Sequence, residues 1–406
     1  MLSSIVVIYT GIFRFMKYYI IAGEASGDLH GSNLIKELII LDSDANIRCW
    51  GGDMMEAAGG KLVKHYRDLA FMGFIEVVRN LPTILGNMKF CKKDMLSFKP
   101  DVVIFIDYPG FNIPMAEFAK KNALKTVYYI SPQVWAWKEG RVKTLKKVID
   151  KMLVILPFER DFYKKWGYEV EYVGHPLIEV IEESKKSKIE NRKLTAESLQ
   201  YIKTDEAVPG QVSPVNRNPT IALLPGSRKQ EISIKLPIML EVCKFFPDCR
   251  FVVAQAPSLS DDFIIQFTKS YPNVEIVKSK TYDLLMKSDA ALVTSGTATL
   301  ETALFGIPEV VCYKGSRISY EIAKRVIKIK YISLVNLIMD KIVVKELIQD
   351  ELTPENLKKE LESLLYDQPR RAQLAKDYQE LWDILSKGGH ASSKAASSIY
   401  HFLRAI

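Results

Sequence analysis

The sequence has little with which to build a disulfide framework or a zinc site. Its five cysteines (Cys49, Cys91, Cys243, Cys249 and Cys312) are odd in number and form no Cys-x-x-Cys pair. That pattern points to structural thiols and fits a reducing compartment. Long apolar runs are missing too. The apolar stretch Ile5 to Phe13 is too short to span a bilayer. It also lacks the basic flank and small-residue cleavage site of a signal peptide. Translation starting at Met16, immediately before the first strand, is the expectation for residues 1–15. No Gly-x-Gly-x-x-Gly occurs, and the second strand, Ile47 to Trp50, ends without the acidic residue that grips a nicotinamide ribose. The dinucleotide fingerprint is therefore absent.

What is present is the composition of a globular protein, with 48% apolar and 26% charged residues. A chain of 406 residues exceeds one ordinary core and predicts about two domains. The net charge of +8 is unevenly spread: residues 61–147 carry 16 Lys+Arg against 7 Asp+Glu. Such a segment suits an anionic partner, namely phosphate, nucleic acid or an acidic membrane surface.

Val102 to Ile106 is apolar without alternation, as in a strand buried on both faces of a parallel sheet. The run stops at Asp107, and Pro109-Gly110 forces a turn. A carboxylate thus stands at the carboxyl end of a strand, where open α/β sheets bind ligands. Capping the following turn is the alternative role for Asp107.

Around this strand the pattern is strand, turn, helix. Tyr18 to Ala22 leads into Gly23-Glu24-Ala25-Ser26-Gly27-Asp28 and a helix, which offers backbone N–H groups to an anion. A helical stretch through Leu81, Leu85 and Met95 interleaves apolar positions with Lys89, Lys92, Lys93 and Lys99. This suits a membrane surface or an ordinary core-facing helix with a solvated basic side. Strands are predicted at 126–130, 152–156 and 170–173. Residues 183–218 hold Lys185-Lys186-Ser187-Lys188, Pro209-Gly210 and Pro214, with Pro219 directly after, and read as a linker or mobile loop.

A second α/β series follows, with strands at 221–224, 250–254, 274–277, 290–293 and 309–312. The first ends in Pro225-Gly226-Ser227-Arg228 and the fourth in Thr294-Ser295-Gly296-Thr297. Helices are expected from there to the end, the last set off by Gly388-Gly389. The predicted division is an extension over 1–15, a first domain over 16–182, the linker, a second domain over 219–386 and a terminal helix over 387–406. Two α/β halves face a cleft, which suits a diphosphate held mostly by the second half.

The motifs together resemble those of the lipid-A-disaccharide synthases, glycosyltransferases of the GT-B type. They are Ala22-Gly-Glu-Ala-Ser-Gly-Asp28, Met72-Gly-Phe-Ile-Glu-Val77, Lys99-Pro-Asp with Ile106-Asp-Tyr-Pro-Gly-Phe-Asn112, and Tyr129-Ile-Ser-Pro-Gln-Val-Trp-Ala-Trp137. Leu156-Pro-Phe-Glu159, Val173-Gly-His-Pro176, Leu223-Leu-Pro-Gly-Ser-Arg228, Thr294-Ser-Gly-Thr-Ala298, Tyr331-Ile-Ser-Leu-Val-Asn336 and Val344-Lys-Glu-Leu347 continue the series. Val335 stands where that family's pattern has proline, and residues 183–218 run longer than usual.

The resemblance implies a GT-B fold of two Rossmann-like domains, with C-terminal helices crossing back to the first. It implies transfer from UDP-2,3-diacylglucosamine to 2,3-diacylglucosamine 1-phosphate. The products would be the β-1,6-linked disaccharide 1-phosphate and UDP. No cofactor or metal is implied. The setting would be cytoplasmic, peripheral on the anionic inner face of the inner membrane, without nucleic acid and with a homodimer left open.

An α-linked donor giving a β-linked product requires inversion, hence a base for the acceptor hydroxyl and stabilisation of the departing diphosphate. Asp107 is the expected base and Glu24 the second candidate. Arg228 offers a bidentate fork to the leaving charge. The remaining donor contacts implied are Gly226, Ser227, Ser295, Gly296, Thr297, Glu301 and Asn336. The acceptor contacts implied are Ser26, Gly27, Asn112, Gln133 and Trp135, and the membrane contacts Phe71, Met72, Phe74, Lys89, Lys92 and Lys93. Other enzymes of this architecture, such as a UDP-sugar 2-epimerase or an undecaprenyl-linked N-acetylglucosaminyl transferase, and a non-catalytic nucleotide-sugar binder are the rival readings.

Overall fold

The computed structural model describes residues 15–69, 81–194, 218–257, 259–316, 320–321 and 329–405. Phe71, Met72 and Phe74 lie outside these, as do residues 1–14 and most of the expected linker. The chain forms two sheets in which every recorded pairing is parallel.

The first sheet has seven strands in the order β3-β2-β1-β4-β5-β6-β7. They are β1 (Lys17–Ala22), β2 (Asn46–Gly51), β3 (Lys61–His65), β4 (Val102–Ile106), β5 (Lys125–Tyr129), β6 (Lys151–Val154) and β7 (Glu171–Tyr172). The second sheet has six in the order β10-β9-β8-β11-β12-β13. They are β8 (Thr220–Leu224), β9 (Arg250–Gln255), β10 (Val274–Lys278), β11 (Ala290–Thr294), β12 (Glu309–Tyr313) and β13 (Lys345–Ile348). In both sheets the order reverses beside the first strand, between β1 and β4 and between β8 and β11. Doubly wound sheets bind ligands at that point.

The apolar runs fill both faces of the sheet. Tyr18, Ile20, Val102, Ile104 and Ile106 pack into one layer, and Tyr19, Ile21, Val103 and Phe105 into the layer on the other side. Neighbouring residues of one strand thus anchor opposite helix layers. Each side chain of this kind contributes about 1.5–3 kcal/mol when fully buried. A third cluster forms the core of the second half and takes in Trp135, Leu156, Leu177, Ile178 and Ile181 from the chain before it.

Of the C-terminal helices, the last returns to the first half. Ala391, Ala395, Ala396, Ile399 and Leu403 of the Ala391–Arg404 helix pack with Leu34, Ile35 and Leu38 of the Ala25–Leu41 helix. The Pro176–Leu194 helix occupies the first part of the segment expected as a linker from residue 183. A polar run rich in Lys and Glu lacks a core stripe yet retains good helix propensity. All five cysteines are buried and free.

Candidate functional site

The site is built where the first sheet reverses. Ile106 ends β4, and the chain then takes two consecutive left-handed residues, Asp107 at φ 42° and Tyr108 at φ 50°. Such conformations are uncommon for side-chain-bearing residues and concentrate at functional sites. Three groups hold the turn. The Asn112 side-chain amide donates to the Asp107 carbonyl at 2.7 Å and to that of Ile106 at 3.2 Å. The Tyr128 hydroxyl donates to the Asp107 carbonyl at 2.6 Å. The Tyr108 hydroxyl donates to the Leu69 carbonyl at 2.9 Å, and its ring closes over Gly23, where a Cβ would fall 2.2 Å from it. Gly23 is thereby required by close approach.

This frame leaves the Asp107 carboxyl half-buried beside Glu24. Burial and the Glu24 charge push Asp107 up to about 7, against a smaller opposing effect of a Tyr108 backbone hydrogen bond. Glu24 precedes the first residue of the Ala25–Leu41 helix, and burial raises it too, while the Arg228 charge pulls it down. Arg228 belongs to the second half, so the two halves meet electrostatically at Glu24. Arg228 precedes the Lys229–Glu241 helix and pairs through Nη1 with Glu231 at 2.9 Å. Gly226 and Ser227 lie in the same turn, Ser295 and Gly296 lie in the turn after β11, and Thr297 opens the helix that follows. Ser295 Oγ donates to the Ile332 carbonyl at 3.1 Å. Glu301, half-buried on the Thr297–Leu304 helix, is pushed up to about 7 by burial.

Other residues expected at the site face elsewhere. Asn112 is fully buried, and the donors of its amide are spent on the β4 turn. It shapes the site from behind. Trp135 is buried, stands edge-on to Phe158 and donates its indole N–H to Glu159 at 3.2 Å. The exposed tryptophan of that segment is Trp137. Asn336 is also fully buried. It donates to the Val344 carbonyl and Glu346 at 2.9 Å and accepts from the N–H groups of Val343 and Val344 at 2.8 and 3.0 Å. All four of its hydrogen-bonding positions are thus used on the chain leading into β13. Gly27 is buried against Ala22, whereas Ser26 and Gln133 are exposed.

Lys235 escapes sequence reasoning. It is 3% exposed, bonds the Thr294 hydroxyl and lies 3.6 Å from Glu231, the carboxylate that holds Arg228. Burial lowers its pKa, with Glu231 opposing. The one signal for it is a charge beside apolar Ile234 and Leu236 in a helical pattern. Asp28 is another buried carboxylate with a structural task, accepting from the N–H groups of Gly52, Met54 and Met55.

The family model described as lipid-A-disaccharide synthetase matches residues 18–400. A lipid-A-disaccharide synthase of Syntrophus aciditrophicus (strain SB) is 39% identical over 386 residues, covering 94% of this chain and 96% of that one. The chain belongs to the lipid-A-disaccharide synthase family. It is therefore a glycosyltransferase of lipid A biosynthesis. Among solved structures, the UDP-GlcNAc 2-epimerase of Neisseria meningitidis bound to UDP-GlcNAc has a TM-score of 0.64 at 14% identity, covering 96% of this chain and 100% of that one. The calicheamicin glycosyltransferase has a TM-score of 0.58 at 15% identity, covering 97% and 99%. Both likenesses concern the fold, which is GT-B. Among the described residues, no helix is long and apolar enough to cross a membrane.

Proposed function

We propose that this member of the family is an inverting transferase that joins UDP-2,3-diacylglucosamine to 2,3-diacylglucosamine 1-phosphate. The observation that carries the reading is Asp107, a carboxyl with a raised pKa presented on a left-handed turn at the sheet's reversal point, on the side that meets Arg228. The acceptor's 6-hydroxyl gives its proton to Asp107. Its oxygen forms the new bond to C1 of the donor as the C1–O bond to the diphosphate breaks. UDP leaves with the electron pair, and attack from the opposite face inverts C1.

A base works best with a pKa near the working pH. Arg228 meets the leaving charge as a planar fork, backed by Glu231 and Lys235. The turns at Gly226-Ser227 and Ser295-Gly296-Thr297 add oriented N–H groups, and Glu301 accepts from the ribose hydroxyls. Glu24 stands beside Asp107 as the alternative base. Ser26 and Gln133 are left to the acceptor.

The acyl chains place the enzyme at the anionic inner face of the inner membrane. The Leu81–Phe98 helix supports this: Leu81, Leu85, Phe90 and Leu96 are exposed on it alongside Lys89 and Lys93. The test mixes purified protein with both acylated sugars. UDP and a disaccharide 1-phosphate should appear together. Conversion of UDP-GlcNAc to its 2-epimer instead would replace this reading with the epimerase, and binding without turnover would replace it with a sugar-nucleotide carrier.

A further inference from the structure

The segment between β5 and the Val142–Val148 helix carries charges that the reaction above does not use. β5 lies beside β4, and the Asp107 N–H donates to the Ile130 carbonyl at 3.3 Å, so this segment begins next to the proposed base. Within it Trp137 is 46% exposed, which is unusual for so large an apolar ring. Lys138 Nζ sits 4.1 Å from the centre of that ring and Arg141 Cζ 5.7 Å from it. Two cations thus share one indole. Among the described residues neither makes an ion pair with a carboxylate, although Glu139 lies between them in sequence. Burial and the charge of Arg141 together lower the pKa of Lys138.

Like charges held together without a counter-ion disfavour each other, and a bound anion relieves that cost. The position narrows the choice of anion. Arg141 also acts electrostatically on the Tyr128 hydroxyl, which donates to the Asp107 carbonyl at 2.6 Å. The cations therefore lie on the Asp107 side of the molecule.

We infer that Trp137, Lys138 and Arg141 form a binding site for a phosphate monoester, the 1-phosphate of the acceptor sugar. The inference rests on the reaction proposed above. In that acceptor the reacting hydroxyl is on C6 and the phosphate on C1, across one sugar ring. A phosphate site belongs a ring's width from the base. Arg141 supplies a fork to two phosphate oxygens, Lys138 a point charge to the third, and Trp137 an apolar wall.

The test compares acceptors with and without the 1-phosphate. Wild-type enzyme should prefer the phosphorylated sugar in kcat/KM, and the K138A/R141A double variant should lose roughly 10- to 100-fold of that preference. The loss should fall on KM for the acceptor, with the donor KM unchanged and partial recovery in Arg141→Lys. A preference retained in the double variant overturns the site.

A second arm needs no turnover. Indole quenching, with Trp137→Phe as control, should show glucosamine 1-phosphate binding more tightly than glucosamine to wild type but not to the double variant. This arm stands even if the proposed reaction fails, and equal binding of the two sugars by wild type overturns the site. A third arm measures binding to vesicles containing phosphatidylglycerol. Vesicle binding lost in the double variant, with phosphate preference intact, would give the site to phospholipid headgroups and overturn the assignment to the acceptor.

Discussion

Three residues make the reading testable, two through the chemistry and one through stability. Asp107 has its pKa raised to about 7, mainly by burial. A base acts in its deprotonated form, so activity should rise with pH through about 7 and fall on the acid side. Asp107→Asn keeps the shape, cannot take the proton and should lose roughly 10²–10⁴-fold in turnover. Donor affinity by calorimetry should hardly change, because the proposed diphosphate contacts lie in the other half. Full activity in the variant would move the search to Glu24. Arg228→Ala should lower turnover strongly, and Arg228→Lys should recover only part, since a point charge does not replace a fork. Equal rates for the Lys variant and wild type would remove the fork from the mechanism. Glu309 is different: it is 1% exposed, and among the described residues both of its buried carboxylate oxygens have no hydrogen-bond partner. Burial holds its pKa well above the ordinary 4.5. The folded state keeps a proton that the unfolded chain releases, so this group's contribution is intact below about pH 4.5 and declines as pH rises. Glu309→Met should raise unfolding free energy by on the order of 1 kcal/mol, with a larger gain at pH 8 than at pH 5. Urea unfolding at the two pH values reads this, and a variant less stable at both would contradict it.

Among the elements, legibility in the sequence follows burial. β4 is plain because Val102 to Ile106 are all buried on both faces, and β1, β8 and β11 are plain for the same reason. The edge strands β3 and β13 escape notice. Lys61–His65 and Lys345–Ile348 are largely half-buried and carry Lys, His and Glu, so neither a continuous apolar run nor a clean alternation marks them. The glycine turns and the carboxylate at the tip of β4 are local features and could be read. Which way Trp135, Asn112 and Asn336 point could not, because that depends on partners such as Glu159, Asp107 and Glu346 that are remote in sequence or in another element. Lys235 is hidden for the same reason: it sits on a helix, and its partner Thr294 ends β11, far away in sequence. The Leu81–Phe98 helix tests whether an element with exposed Leu81, Leu85, Phe90 and Leu96 works as a membrane contact. Replacing Lys89, Lys92 and Lys93 with Ser should weaken binding to anionic vesicles by about 1 kcal/mol per charge near the surface. Sedimentation at two salt concentrations measures it. Binding that is unchanged and salt-independent would make the lysines an ordinary solvated face.

At the scale of the whole molecule, the two halves are tied by chain that crosses twice. The Pro176–Leu194 helix gives Leu177, Ile178 and Ile181 to the core of the second half. Glu179 of the same helix accepts from the N–H of Ser392 at 2.7 Å, fixing the start of the last helix, which packs on the first half. The crossings touch at a pair of glycines. A Cβ on Gly388 would fall 2.2 Å from Gly174 Cα, and the nearest atoms are backbone rather than yielding side chains. Gly388→Ala must therefore push the two strands of chain apart. Overpacking of this kind costs typically 1–3 kcal/mol. The cost should fall on the last helix, because the residues it buries lie just beyond the displaced point. Urea unfolding of Gly388→Ala should show a loss of that size, and limited proteolysis should cleave near residue 388 faster than in wild type. The Asp107 turn is held by Asn112 and Tyr128, so the acid limb of the pH profile should stay near pH 7. Unchanged stability and proteolysis would show that the glycine contact does not tie the halves. A shifted acid limb would show that the crossing, and not the β4 turn alone, sets the environment of the base.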